Sequence, residues 1–384
     1  MIPTSGTLLV VIIFLINTLG IVRYLFQWGD PASSPGYELV PTIFFVYWNL
    51  LTVFVIITLL VKTRKINLFF LCCYLYLIFE ITIIGAISES FYVHGTARSL
   101  ALNGFIFLLL SANAEFLSIN KIVKCIEFLA ALSIGFLLFQ IVRVYIFEIY
   151  PSHSHPGYLV RYGSIYDDSL VLSIMAPMFA GLFLIKYQSF AAAIIICLVS
   201  LGVSFLTGSF TGILIMLLYL AWCKRDNPKL LFGLFFALVI LAIWQFEYFL
   251  GIFLFKQDSI SSHVEGWGEL RSISLPTLLG IYPTDLYPEP GYVSFLLNFG
   301  APMLLGFIGL LSYLIYICVS CLKNKSINSD FRLILGATEG LLISVTLANL
   351  NFPVVIFPPI YLMLAILSGV TFYHYSQRHH REIR

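Results

Sequence analysis

Between Lys256 and Tyr292 the chain reads KQDSISSHVEGWGELRSISLPTLLGIYPTDLYPEPGY, the longest polar interruption in an apolar sequence. It gathers His263, Glu265, Trp267, Glu269, Arg271, Asp285 and Glu289. A histidine or carboxylate can take a proton from an attacking hydroxyl. An arginine can grip phosphate oxygens with its planar two-pronged guanidinium, and the tryptophan offers a ring face of the kind that stacks on sugars. Loops much longer than about 12–15 residues are usually either functional or disordered; the prolines, aromatics and helical pattern here favour function.

Written as a helix from Ile260 to about Ser274, the stretch places Ile260, Val264, Trp267 and Leu270 on one apolar stripe. His263, Trp267 and Arg271 then share a face, with Glu265 and Glu269 roughly opposite. Such a helix would lie on the rim of a membrane bundle and turn His263 and Arg271 toward protein or headgroups. Gly266 and Gly268 weaken it by about 1 kcal/mol each. The alternative is an interfacial helix anchored by Trp267, with His263 a satisfied polar residue.

Two more clusters stand at the mouths of apolar runs. Tyr158-Leu-Val-Arg161-Tyr-Gly-Ser-Ile-Tyr-Asp167-Asp168 leads into one, and Pro288-Glu289-Pro-Gly-Tyr292 into another. Carboxylates just before a helix can cap its free N–H groups and favour its dipole, so Asp168 as a cap and Asp167 as a partner of Arg161 would be a purely structural account. His153 and His155 lack a third ligand and read as loop residues; no metal and no cofactor is expected. Glu80, Glu115 and Glu339 sit inside apolar runs, where an acid usually faces a cavity or a partner; Glu80 or Glu115 could pair with Arg143.

The elements that must hold these residues are membrane spans. The chain is 60% hydrophobic and only 10% charged, against about 25% charged in soluble domains. Lipid admits only helix bundles or closed barrels, and the continuous apolar runs are of helical length. Spans are expected near 7–26, 40–61, 66–87, 99–117, 125–147, 169–187, 190–207, 209–223, 230–250, 291–319, 331–350 and 354–373: about twelve transmembrane helices, forming one transmembrane domain over 1–384. A large outer loop at 256–290, with an interfacial helix, separates the ninth and tenth. The seven cysteines lie in apolar runs or at their ends, which argues against a disulfide framework.

Positive residues set the orientation. With the N-terminus inside, inner segments carry fifteen lysines and arginines and outer segments only Arg98, Arg161, Lys256 and Arg271. Both termini are then cytoplasmic and the long loop faces out. Arg23 and Arg143 lie near the outer ends of their spans. Nine of the ten lysines are inside, so arginine is the cation of the outer half, as bidentate phosphate binding would require; the plain alternative is snorkelling or local ion pairing.

At three places the residues resemble the family of O-antigen and capsular polysaccharide polymerases (Wzy-type) and O-antigen ligases. Arg161-Tyr-Gly-Ser-Ile-Tyr-Asp-Asp168 is similar to its Arg-x-Gly-x-x element entering a span. Ser261-Ser-His263-Val-Glu-Gly-Trp267 is similar to its outer-loop segment with a basic residue four before a tryptophan, and Gly280 through Gly300, with PEPGYVSFLLNFG, to its acidic-Gly-Tyr entry into a Leu-rich helix. The family often has arginine where His263 stands and asparagine where Asp168 stands.

The resemblance implies an all-α, GT-C-like glycosyltransferase of a bacterial plasma (inner) membrane. It would move a glycan from undecaprenyl diphosphate to the non-reducing-end hydroxyl of a lipid-linked repeat unit. Chain-length regulator and flippase proteins would be its partners, with membrane lipid around it and no nucleic acid. Arg161, Arg271, Arg143 and Arg98 would hold the diphosphate; His263, Glu289 and Asp167 are the candidate bases; Trp267, Tyr292 and Tyr158 would contact sugar. A ligase handing the glycan to another acceptor would use the same arginines. A flippase or transporter of lipid-linked sugar is the alternative from a different class.

Overall fold

The computed structural model describes residues 5–26, 39–87, 91–148, 151, 160–166, 168–223, 264–280, 291–324, 327–350 and 357–382, with isolated helical positions at 232, 233, 236, 239 and 243. The described residues are all-helical, without a strand. In chain order the helices are α1 (Ser5–Phe26), α2 (Leu39–Lys62), α3 (Leu68–Ile87), α4 (Phe91–Asn113), α5 (Ile119–Phe147), α6 (Ser169–Lys186), α7 (Phe190–Leu206) and α8 (Phe210–Cys223). Then come the short α9 (Leu275–Leu278), α10 (Gly291–Lys323), α11 (Ser329–Ala348) and α12 (Pro358–Glu382). Eleven of the twelve expected spans have a matching helix here; the ninth, 230–250, lies outside the described residues but for scattered positions.

Among the described residues, five stretches are long and apolar enough to cross a bilayer: Thr96–Phe116, Ile119–Phe147, Ser169–Lys186, Gly291–Lys323 and Ser329–Ala348. The distribution of side chains is that of a bundle in lipid. Val53, Phe54, Ile57, Leu60 and Val61 on α2, and Phe128, Leu138 and Phe139 on α5, are exposed, whereas Asn17, Asn103, Gln140, Thr338, Ser344 and Thr371 are buried. Apolar surface on this scale would be a liability in water; against hydrocarbon it costs little, and polar groups turn inward to find partners.

Association without a hydrophobic drive between helices depends on close backbone approach, and α6 against α11 supplies it. A Cβ added to Gly340 would lie 2.1 Å from the Pro177 carbonyl, and one on Gly181 would lie 2.1 Å from the Gly336 carbonyl. The Ser344 hydroxyl donates to the Ile174 carbonyl at 2.7 Å and ties the same pair farther along. α7 and α8 form a hairpin through Thr207 and Gly208, whose φ of 59° suits glycine.

One end of the bundle is basic. Asn113 Oδ1 accepts from the Arg64 and Lys65 amides at 2.9 and 3.0 Å, joining the α2–α3 and α4–α5 turns. Lys121 Nζ donates to Thr7 Oγ1, and Lys186 pairs with Glu127 at 2.6 Å. The opposite end carries Arg98, Arg143 and Arg161 on α4, on α5 and before α6.

Two departures from the expected spans matter. α10 is not one continuous helix: Gly300 takes φ 77° and ψ 172°, with Pro302 just beyond. The pattern Gly-Ala-Pro carried that signal, because proline cannot donate to the preceding turn and glycine admits the positive φ. The outer helix expected to run to about Ser274 is also broken. Residues 264–268 are helical, Glu269–Ser272 tighten into a 3-10 turn, and Ser274 caps the new helix α9 by accepting from Thr277 N at 3.3 Å. Pro276 inside the first turn of α9 enforces the restart.

Candidate functional site

Arg143 is the buried cation of the far end. It stands on α5, one turn before the helix finishes at Phe147, with only 4% of its surface exposed. Its guanidinium lies 5.8 Å from the centre of the Phe139 ring, a cation–π geometry. One turn back on the same face, Gln140 is fully buried, and its Oε1 accepts from the Ser164 amide at 2.9 Å. Its Nε2 has no acceptor among the described residues.

The segment 160–166 enters the bundle instead of running over its surface. Tyr162, Gly163, Ser164, Ile165 and Tyr166 are buried, with Arg161 half-buried at the entrance. Irregular backbone at such a place survives only when protein satisfies it, and each contact here does so. Tyr162 N donates to the Leu206 carbonyl at 3.1 Å, and the Ser164 hydroxyl donates to the Ser133 carbonyl at 2.5 Å. Ser164 holds φ at 53°, a left-handed conformation for a residue with a Cβ. Gly20 on α1 makes room, since a Cβ there would lie 2.3 Å from the Ile165 carbonyl. The result is a 3-10 turn (Ser164–Tyr166) clamped between α1, α5 and α6, which joins Arg161 to the Gln140–Arg143 face of α5.

Asp168 then starts α6. Its carboxylate accepts from Leu170 N at 2.8 Å, which makes it the expected N-cap. Asp167 and Tyr158 lie outside the described residues, as do His263, Glu289, His153 and His155.

The other expected site residues fall elsewhere. Tyr292 begins α10 and donates its hydroxyl to the Thr346 carbonyl at 2.9 Å, while its amide bonds the Asn349 carbonyl; the phenol is engaged in joining α10 to α11. Trp267 and Arg271 are exposed on the 264–280 stretch, which is seated through Gly280 against Gly300 and Phe299 of α10. Arg98 is exposed on α4. Of the four arginines, Arg143 is buried, Arg161 half-buried, and Arg98 and Arg271 exposed.

Of the two acids that could pair with Arg143, Glu115 lies at the opposite end of the bundle. Glu115 accepts from the Tyr373 hydroxyl at 3.0 Å at the basic end, the full length of α5 away. Glu80 stands one turn beyond Tyr76 on α3 and against Gly280. Glu339 accepts from Trp222 Nε1 at 2.9 Å. Gln140 was not singled out by sequence; a polar residue three before Arg143 on one helix face was the available signal.

The cysteines are free thiols, Cys318 and Cys321 being buried neighbours on α10. No cluster of metal-ligating residues occurs among the described residues. The chain matches no protein-family model, and a search of curated proteins finds no relative.

Proposed function

We propose that this helical membrane bundle is a glycosyltransferase that takes its glycan from a lipid diphosphate, as a polysaccharide polymerase acting on undecaprenyl-diphosphate-linked repeat units. The observation that carries the reading is the buried Arg143, one helical turn from the unsatisfied Gln140 amide, at the end of the bundle away from the lysine-rich turns, with the half-buried Arg161 three residues before the Ser164 that Gln140 holds. Holding a cation out of water is costly, and in a low-dielectric setting a fixed guanidinium acts strongly on developing negative charge. When the anomeric carbon passes from diphosphate oxygen to sugar hydroxyl, the C–O bond to phosphate breaks and the departing diphosphate takes the electron pair. Arg143 and Arg161 would stabilise that charge. The hydroxyl proton would pass to a base, for which His263, Glu289 and Asp167 remain the proposed residues. Trp267, Tyr292 and Tyr158 are proposed to line the glycan path, Tyr292 through its ring rather than its hydroxyl, with Arg271 and Arg98 as outer phosphate contacts.

The sidedness belongs to the same reading: lysine-rich end in the cytoplasm, the end with Arg98, Arg143 and Arg161 outside, in a bacterial inner membrane, with a GT-C-like arrangement of about twelve spans. The test is reconstitution with the lipid-diphosphate-linked repeat unit and neither nucleotide sugar nor energy source. A ladder of longer lipid-linked glycans, lost in Arg161→Ala, supports the polymerase; absence of a ladder from folded protein given its authentic repeat unit overturns it. Transfer to a different acceptor would identify a ligase.

One observation favours transport instead. α10 is interrupted at Gly300 with the buried Glu80 beside the interruption, and broken helices next to buried charges recur in transporters. A transporter would show transbilayer movement of the lipid-linked sugar without elongation, abolished in Glu80→Gln.

A further inference from the structure

A groove of about 960 Å³ opens between α3, α4, α10 and α12. None of its walls belongs to α5 or to the 160–166 segment, so it is separate from the Arg143 region. Its lining is apolar and aromatic, with Phe70 meeting both Phe107 and Phe372 edge-on. Gly306 and Gly309 leave the α10 wall flat: a Cβ on either would meet nothing within 4 Å.

The polar groups along the groove are graded. At its basic end Asn67 lines it, and the exposed Arg64 and Lys65 stand just before Asn67, their amides fixed on Asn113. About one turn farther in, Ser368 lines the wall at the level of Phe107, since a Cβ on the adjacent Gly369 would meet Leu110 and the Phe107 carbonyl. The Ser368 hydroxyl is buried, 2% exposed, and has no hydrogen-bond partner among the described residues. Toward the opposite end, Tyr76 lines the groove one helical turn from the buried Glu80. The acid near the basic end, Glu115, is engaged by Tyr373.

We infer that this groove holds an anionic glycerophospholipid of the surrounding leaflet. Its phosphate lies at Arg64 and Lys65, an ester carbonyl accepts from Ser368, and one acyl chain runs along the Gly306–Gly309 wall. Charge fixes the direction: cations flank one end and a carboxylate the other. A hydrocarbon chain gains little by leaving other hydrocarbon, so selectivity must come from the headgroup and the ester, where each cation adds to the attraction for anionic lipid.

The experiment extracts the full-length protein from nanodiscs holding equal phosphatidylglycerol and phosphatidylethanolamine of the same chains, and counts retained lipids by native mass spectrometry. Wild type should keep phosphatidylglycerol with a preference of up to about thirtyfold, the scale two cations provide. Gly309→Trp, which projects a ring into open groove, should lose the lipid. Arg64→Ala/Lys65→Ala, at exposed positions, should keep lipid but lose the preference, with melting unchanged in detergent. Equal retention of the two lipids by wild type, or an unchanged preference in the double variant, overturns the assignment, as does full retention by folded Gly309→Trp.

Discussion

Arg143 and Asp168 illustrate how different two charged residues at one end of a bundle can be. Asp168 acts locally, its carboxylate receiving Leu170 N to begin α6. Replacing it with alanine should cost about 1 kcal/mol of stability, read as a lower melting point in detergent. Asp168→Asn should keep both stability and activity, because an amide oxygen caps as well. Loss of activity in Asp168→Asn at unchanged melting would mean that the carboxylate does more than cap. Arg143 caps no helix and lies buried on α5 beside Gln140. Arg143→Ala should reduce glycan elongation by roughly 10²–10³-fold, the usual effect of losing one fixed donor at a developing anion. Arg143→Lys should recover only part of it, because an ammonium cannot reproduce the two-pronged geometry. Sequence displayed Arg143 plainly as a charge in an apolar run. It showed Gln140 three residues before Arg143 but could not show that Gln140 holds Ser164, which returns to α5 from 24 residues away.

At the scale of elements, hydropathy and length located the helices well, since lipid leaves the backbone few other options. The interruptions were harder to read. Gly300 and Pro302 break α10, yet the run on both sides is apolar enough to pass as one span. In the outer stretch Ser274 and Pro276 restart a helix that the apolar stripe alone would continue. Periodicity reports which face is apolar; it does not report where a local cap competes successfully with propagation. The tight α6–α11 contact was equally silent, because glycines at 181, 336 and 340 gain meaning only when the partner backbone is known. Gly340→Val should separate these helices and lower stability by about 1–3 kcal/mol or more. Gly135→Val, whose Cβ meets nothing within 4 Å, should leave the melting point nearly unchanged. Equal melting of the two variants would contradict the α6–α11 packing.

For the molecule as a whole, cations divide between its ends: lysine-rich turns at one, Arg98, Arg143 and Arg161 at the other. With the native cysteines replaced, a cysteine at Arg271→Cys should react with a membrane-impermeant maleimide in intact cells, and one at Lys124→Cys only after permeabilisation. The reverse would put the Arg143 end in the cytoplasm and remove an externally acting polymerase. The most direct test of the central claim is the affinity of the purified protein for undecaprenyl diphosphate beside undecaprenyl monophosphate, in wild type and in Arg143→Ala. Wild type should bind the diphosphate more tightly, and Arg143→Ala should lose that preference with melting preserved. Equal affinity for the two lipids, or a preference unchanged in folded Arg143→Ala, would contradict a diphosphate site at Arg143.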